Sequence, residues 1–330
     1  YFKEDIKKKF TNFEIFNIFK SNKRILLFLI EEQIMEIDEI IVKKIAWTNK
    51  YRLAKYHLYF QPEIKDEWLR KYFLFIKKEE LPENFIENRK IGENESKICQ
   101  LIRNDLVKEF IVFVNQNNIS LNSEIEESIY ETNSYLIKIQ TSSLKYSSLG
   151  NYHNRNKIEK LTLIKYAAFF GSLEIFNYLR LNGVELEPSI CAFAIHGKNA
   201  EIIHILEENH IISDDNSYMK CFLDSIKCNH NDIAFYFLNN FLQNDAINSK
   251  NIFYQSLKYY NFAFISTEQI DESSFFNLCK YDYCFLVNFL LKNQNIDLNK
   301  KDNSISNVKL LNNAFNKYLN GILNEICVNC

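Results

Sequence analysis

With 40 basic and 42 acidic side chains and a net charge of −2 over 330 residues, the chain lacks the basic field that draws proteins to DNA, RNA or acidic membranes. Its 28 Phe and 19 Tyr, in a composition that is 47% hydrophobic, supply enough apolar surface to exclude wholesale disorder. Only 6 Gly and 3 Pro argue against β-rich folds, whose tight turns consume both, and favour an all-α chain.

In chain order, the first strong helical pattern is KRILLFLIEEQIMEID, Lys23 to Asp38, with Ile25 and Leu29 four apart on one face. The apolar run Ile25 to Ile30 is far shorter than the ~20 residues a membrane-spanning helix needs, so no span or signal peptide is expected. Helix continues from Glu39 through Trp47 into a section rich in large aromatics, among them Tyr51, Tyr56, Tyr59, Phe60, Trp68, Tyr72, Phe73 and Phe75. Pro62 and Pro82 are expected helix boundaries there. The polar stretch 87–97 (ENRKIGENESK) closes this leading section, so the first domain is placed at residues 1–97.

From Ile98 an apolar period returns, with Ile102, Phe110, Val114 and Leu121 as its core positions. Residues 140–160 (QTSSLKYSSLGNYHNRNKIEK) show no sustained apolar period and are expected to form an inserted interaction loop or a mobile linker. The clearest unit follows at 161–187, LTLIKYAAFFGSLEIFNYLRLNGVELE. Thr162 can cap its first helix, Ala167 and Ala168 admit a close neighbour, and Gly171 and Gly183 stand where helices stop at positive φ. Ile175 and Leu179 share the face that a stacked neighbour covers.

The scheme repeats with Ser189, Ala194, Glu201, Ile202 and Leu206, then with Ser225, Asp232, Ile233 and Phe237. A shortened unit covers Tyr254 to Ile265, and a clearer one begins at Phe275 with Leu286 and Leu290 in the core places. Asn118 and Asn209 sit at helix ends where Gly is usual, Asn being the next best residue at positive φ. The repeating domain is placed at 98–300, and residues 301–330 are expected to form a degenerate helical cap.

These units resemble ankyrin repeats. Thr162, the Ala167 and Ala168 pair, Gly171, Glu174 with Ile175, Leu179, Gly183 and Leu186 match that family's pattern, while Leu163, Ile164 and Lys165 depart from its Pro, Leu and His. The degenerate spelling, with RKIGENESKICQLIRNDLVKEFI leading into it, is similar to a large protist family of ankyrin proteins with an N-terminal domain of unknown function. The resemblance implies an ankyrin-type α-solenoid of stacked helix-turn-helix repeats behind a helical N-terminal section. Between Thr162 and Ser189 the unit is shorter than the ~33 residues of the family, so its hairpin finger is expected to be truncated, with Leu186 to Ser189 crossing directly to the next unit.

Tyr166, Phe169 and Phe170 lie at i, i+3 and i+4 and share one helix side. The resemblance puts them on the concave surface, with Phe193 and His196 in the next unit, and names these five as partner-binding residues. An exposed aromatic row would anchor a protein partner; the same residues covered by the 140–160 insertion or by neighbouring helices would be core. Cys191, His196, His204, His210, Cys228 and His230 fall in successive units, a conceivable metal set, but His230 holds the family's turn position and a structural role is expected. Cys327 and Cys330 form a lone C-x-x-C, read as part of a plain terminal helix.

No glycine-rich phosphate loop, H-E-x-x-H or G-x-S-x-G occurs, so no catalytic residue, metal or cofactor is expected. Eight cysteines without framework spacing fit the cytosol or nucleus. The expectation is a monomeric, non-enzymatic protein-interaction module with an unknown protein partner and no nucleic-acid or membrane partner. The alternative is a regulatory or adaptor part of a larger enzyme whose active portion lies outside residues 1–330.

Overall fold

A computed structural model describes residues 2–48, 55–73, 81–148, 159–212, 215–242, 249–265, 270, 274–281 and 283–293. The protein is all-α: among the described residues there is no strand, only an isolated antiparallel bridge between Glu124 and Thr162. Two compact units divide it, Tyr1–Phe193 and Ala194–Cys330.

The first unit opens with α1 (Phe2–Lys9), α2 (Asn12–Phe19), α3 (Lys23–Glu31), α4 (Glu39–Trp47), α5 (Tyr56–Tyr59) and α6 (Asp66–Tyr72). The starts of α2, α3 and α4 are written locally. Thr11 and Glu14 form a reciprocal capping box on α2, with Glu14 N donating to Thr11 Oγ1 at 3.2 Å and Thr11 N to Glu14 Oε2 at 2.9 Å. Asn22 accepts from Arg24 N and Ile25 N at the start of α3, and Asp38 accepts from Ile41 N at the start of α4. Each such cap stabilises its helix by roughly 1 kcal/mol. Pro62 begins a 3-10 turn, Gln61–Glu63, where its missing N–H is harmless, as its position in the sequence implies.

These helices close on Phe16, Leu26, Leu27, Ile41, Val42, Tyr59 and Phe60. Leu29 joins the core, but Ile25 is 40% exposed, because the buried stripe of α3 runs through Lys23, Leu26, Leu27 and Leu29 instead. Glu39 ties α4 to α6 by accepting from Tyr72 Oη at 2.5 Å and Lys71 Nζ at 2.8 Å. The polar stretch 87–97 is ordered, with Arg89, Gly92 and Asn94 buried among exposed and half-buried neighbours. It is helical up to Ile91 in α7 (Phe85–Ile91). Arg89 grips both oxygens of Glu63 at 2.8 Å and also donates to Tyr59 O at 3.1 Å. That bidentate pair, rather than solvent, explains the charge.

Beyond it the chain folds as helix pairs. The first is α8 (Lys97–Arg103) with α9 (Val107–Gln116), followed by the single helix α10 (Ser134–Ser148). Next comes α11 (Leu163–Phe170) with α12 (Leu173–Leu181), and then α13 (Ile190–Gly197) with α14 (Ala200–Glu208). The second unit, which begins within α13, holds α14, then α15 (Asp215–Lys227) with α16 (Asn231–Asn240), α17 (Ser249–Tyr259) with the 3-10 turn Phe262–Phe264, and α18 (Phe275–Lys280) with α19 (Cys284–Asn293).

A left-handed residue makes the turn inside successive pairs: Asp105, Gly171, Lys198, Asn229 and Tyr260, with φ between +50° and +69°. Gly171 alone among these avoids the steric penalty. The others accept it to bring the second helix back against the first. Second-helix positions expected in the core are buried, Phe110, Val114, Ile175, Leu179, Ile202, Leu206, Ile233 and Phe237 among them; Leu290 is buried and Leu286 half-buried.

Adjacent pairs are pinned through their turns. In the first unit Ser172 Oγ donates to Ile102 O at 2.5 Å, and Asp105 accepts from Glu174 N and Ile175 N, both at 3.0 Å. In the second, Asn261 Nδ2 donates to Ile226 O at 3.0 Å, and Tyr283 Oη to Leu257 O at 3.0 Å. In all three cases the accepting carbonyl lies one turn before the left-handed residue of the preceding pair.

The loop expected over 140–160 does not begin where polarity suggested, since α10 runs as helix to Ser148 with Leu136 fully buried; residues 149–158 lie outside the described part. Asn133 starts α10 by accepting from Tyr135 N at 2.9 Å. Thr162 occupies the N-cap position of α11 but makes no side-chain capping bond, contrary to expectation. The expected cap at 301–330, with Cys327 and Cys330, lies outside the described residues.

Candidate functional site

The five residues expected to bind a partner do not form an exposed face. Tyr166 and Phe193 are 0% exposed and Phe169 is buried, while Phe170 and His196 are half-buried. Tyr166, Phe169 and Phe170 do share one side of α11, but that side is roofed. Tyr135 of α10 stacks on Phe169 at 6.0 Å between ring centroids and meets Phe193 edge-on at 5.3 Å. Arg103 donates to Tyr166 Oη at 2.9 Å and lies over the Phe170 ring. Burial, with the Cys99 sulfur beside it, pushes the Tyr166 hydroxyl well above its ordinary range, so it stays a neutral hydrogen-bonding group. Tyr135, at the start of α10 and ahead of the expected loop, covers the aromatic row together with Phe193.

His196 lies beside a different group. Its ring nitrogens are 3.6 and 3.7 Å from Cys228 Sγ. Burial, aided by Lys227 and His230, holds His196 down to about 4, and burial pushes Cys228 up to about 11. Near neutral pH both partners are therefore uncharged. A nucleophilic pair needs the reverse, a thiolate beside an imidazolium. Among the described residues no three His, Cys, Asp or Glu side chains converge to hold a metal ion.

A concave feature among the described residues of the first unit lies elsewhere. A pocket of about 280 Å³ is lined by Asn122, Glu159, Lys160, Thr162, Ile164, Lys165, Val184, Glu185, Glu187, Pro188 and Ser189. Three backbone segments meet there. Residues 123–125 pair with 161–163 through Ile125 N to Leu161 O at 2.7 Å and Leu163 N to Ser123 O at 3.2 Å. The direct crossing from α12 to α13 brings Glu187 and Ser189 against them and forms one wall.

Lys165 is the organising side chain. It is only 3% exposed, in a helix that is otherwise apolar, and its ammonium donates to Glu159 Oε1 at 2.5 Å and Glu187 Oε2 at 2.6 Å. Ser189 Oγ adds a bond to the same Glu159 oxygen at 2.8 Å. A buried ammonium is tolerated only with such partners. At the rim Lys160 is paired with Glu124.

None of these pocket residues was singled out for function in the sequence. The available signal was Lys165 itself, a lone charge within LTLIKYAAFF, which the family comparison presented merely as a departure from His.

Comparison with protein-family models, curated proteins and solved structures finds no match to this chain. The class that the coordinates define is thus an all-α protein of pinned helix pairs, and among its described residues no helix is long and apolar enough to cross a membrane.

Proposed function

We propose that the chain is a non-enzymatic protein-interaction module, built as a stack of degenerate ankyrin-type helix pairs behind a helical N-terminal section. The observation that carries this reading is the repeated tie from one pair's turn to the preceding pair's carbonyl: Ser172 to Ile102, Asn261 to Ile226 and Tyr283 to Leu257. Ties of one register hold successive pairs at fixed spacing, which is what a rigid recognition surface requires. With Tyr166, Phe169 and Phe193 in the core, the contact surface is assigned to the outer edges of the turns and their connections.

The test is affinity capture with the full chain, followed by mass spectrometry, beside a Leu179→Ala variant whose stack is loosened. Protein enriched by the wild-type chain and lost with the variant is the expected result. Equal recovery by both proteins, or no enrichment over bare resin, would defeat the reading.

A further inference from the structure

We propose that the pocket beside Lys165 receives a guanidinium or primary ammonium group carried on an aliphatic stem. The argument begins with volume. At about 280 Å³ the cavity falls just below the ~300–1,000 Å³ of sites for drug-sized ligands. It suits one long side chain or a small amine rather than a nucleotide.

Charge then selects the sign. Three carboxylates, Glu159, Glu185 and Glu187, line the pocket with two ammonium groups, Lys160 and Lys165, a balance of 2 − 3 = −1, and Glu124 outside the lining neutralises Lys160. Both ammonium groups are already held in ion pairs, Lys160 by Glu124 and Lys165 by Glu159 and Glu187. An anion would find its donors engaged and Glu185 repelling it. A cation finds Glu185, which is exposed, and the Glu159 carboxylate, whose Oε1 is fixed by Lys165 and Ser189.

The neutral lining fits the rest of such a ligand. Ile164, Val184 and Pro188 offer an apolar wall for a methylene stem, as lysine and arginine stems use on protein surfaces. Thr162, which caps no helix, and Asn122 offer further oxygen acceptors. A planar guanidinium satisfies several acceptors at once. Because Lys165 and Ser189 already hold Glu159 in place, little ordering cost remains for binding. The carboxylates do not converge into a metal site. This inference stands apart from the protein-interaction reading, since a free amine would satisfy it equally.

The experiment is calorimetric titration of the full chain at low salt with Nα-acetyl-argininamide, agmatine, the neutral Nα-acetyl-citrullinamide and inorganic phosphate. Saturable binding of a guanidinium probe is expected, at least about tenfold tighter than the citrulline analogue. Nα-acetyl-argininamide binding best would mark a peptide side chain as occupant, and agmatine binding best a free amine. Glu185→Gln should weaken binding about fivefold or more and Glu185→Lys should abolish it, while both retain the wild-type Tm because Glu185 is exposed at the rim. Equal binding of the citrulline analogue, binding of phosphate instead, unchanged binding by Glu185→Lys, or no saturable binding of either guanidinium probe would each overturn the proposal.

Discussion

The leading helices and the first two helix pairs belong to one compact unit, yet they end their helices in opposite ways. In the leading section α2, α3 and α4 take their caps from the residue next door, Thr11, Asn22 and Asp38 in turn, while α5, α6 and α7 have no side-chain cap. In the pairs, Leu106 and Ser172 precede α9 and α12 without any side-chain cap, and α12 takes its cap from Asp105 of the pair before it. Ser172 meanwhile spends its hydroxyl on Ile102 O. Helices α2 to α4 are thus complete at their starts from local sequence, whereas α12 is completed by the pair before it. Taken out of the stack, the α11 and α12 pair would expose orphan N–H groups at the start of α12.

The largest effect should come from breaking the pair of buried Arg89 with half-buried Glu63 in the leading section. Glu63→Ala leaves a guanidinium without its carboxylate, and a loss of roughly 3–5 kcal/mol is expected in urea unfolding. In the pairs, Leu179→Ala should cost roughly 2–5 kcal/mol, whereas Leu181→Ala, two residues on and 74% exposed, should stay within about 0.5 kcal/mol. Similar losses at both leucines would mean that α12 is not packed as described.

Lys23 gives the leading section a pH signature. Burial brings its ammonium down from 10.5 to about 7, with the charged form donating to Ile129 O over the Tyr59 ring. Its folded pKa is depressed below the unfolded value, so above about pH 7 the unfolded chain holds the proton more tightly than the folded one. This group's contribution therefore increases stability as pH rises from about 7 towards 10 and is lost as pH falls back through that window, by up to about 1.4 kcal/mol per pH unit. Lys23→Met should flatten the dependence; an unchanged slope in unfolding experiments at pH 7, 8 and 9 would remove Lys23 as its source.

The smallest change separates the two capping schemes most directly. Asp38→Ala and Asp105→Ala should each cost about 1–2 kcal/mol. Hydrogen exchange should accelerate at Ile41 in the first variant, close to the mutation, and at Glu174 and Ile175 in the second, a whole pair away. Acceleration confined to residues near 105 would contradict completion by the neighbour.

What was legible in the sequence follows the same division between local and distant causes. The second-helix cores at Phe110, Ile175, Leu179, Ile202 and Phe237 could be read because apolar spacing along one helix face is a local property. Helix α10 could not, because QTSSLKYSS is polar and the helix is fixed from outside, by buried Leu136 and by Tyr135 on Phe169. Exposure of the aromatic row failed for that reason: it depended on whether α10 existed. The pocket was hidden more deeply, since Glu159, Lys165, Glu187 and Ser189 meet only when the inter-pair crossing returns against the start of α11.

The pins between turns carry one last consequence. Their donors are a serine, an asparagine and a tyrosine, while each acceptor is a main-chain carbonyl that every residue type possesses. A tie with one end on the backbone imposes no matching substitution on a partner side chain; any donor of sufficient reach will serve. Drift in the spelling of the turns can therefore accumulate without loosening the pairs, leaving a geometry that repeats along a text that hardly does.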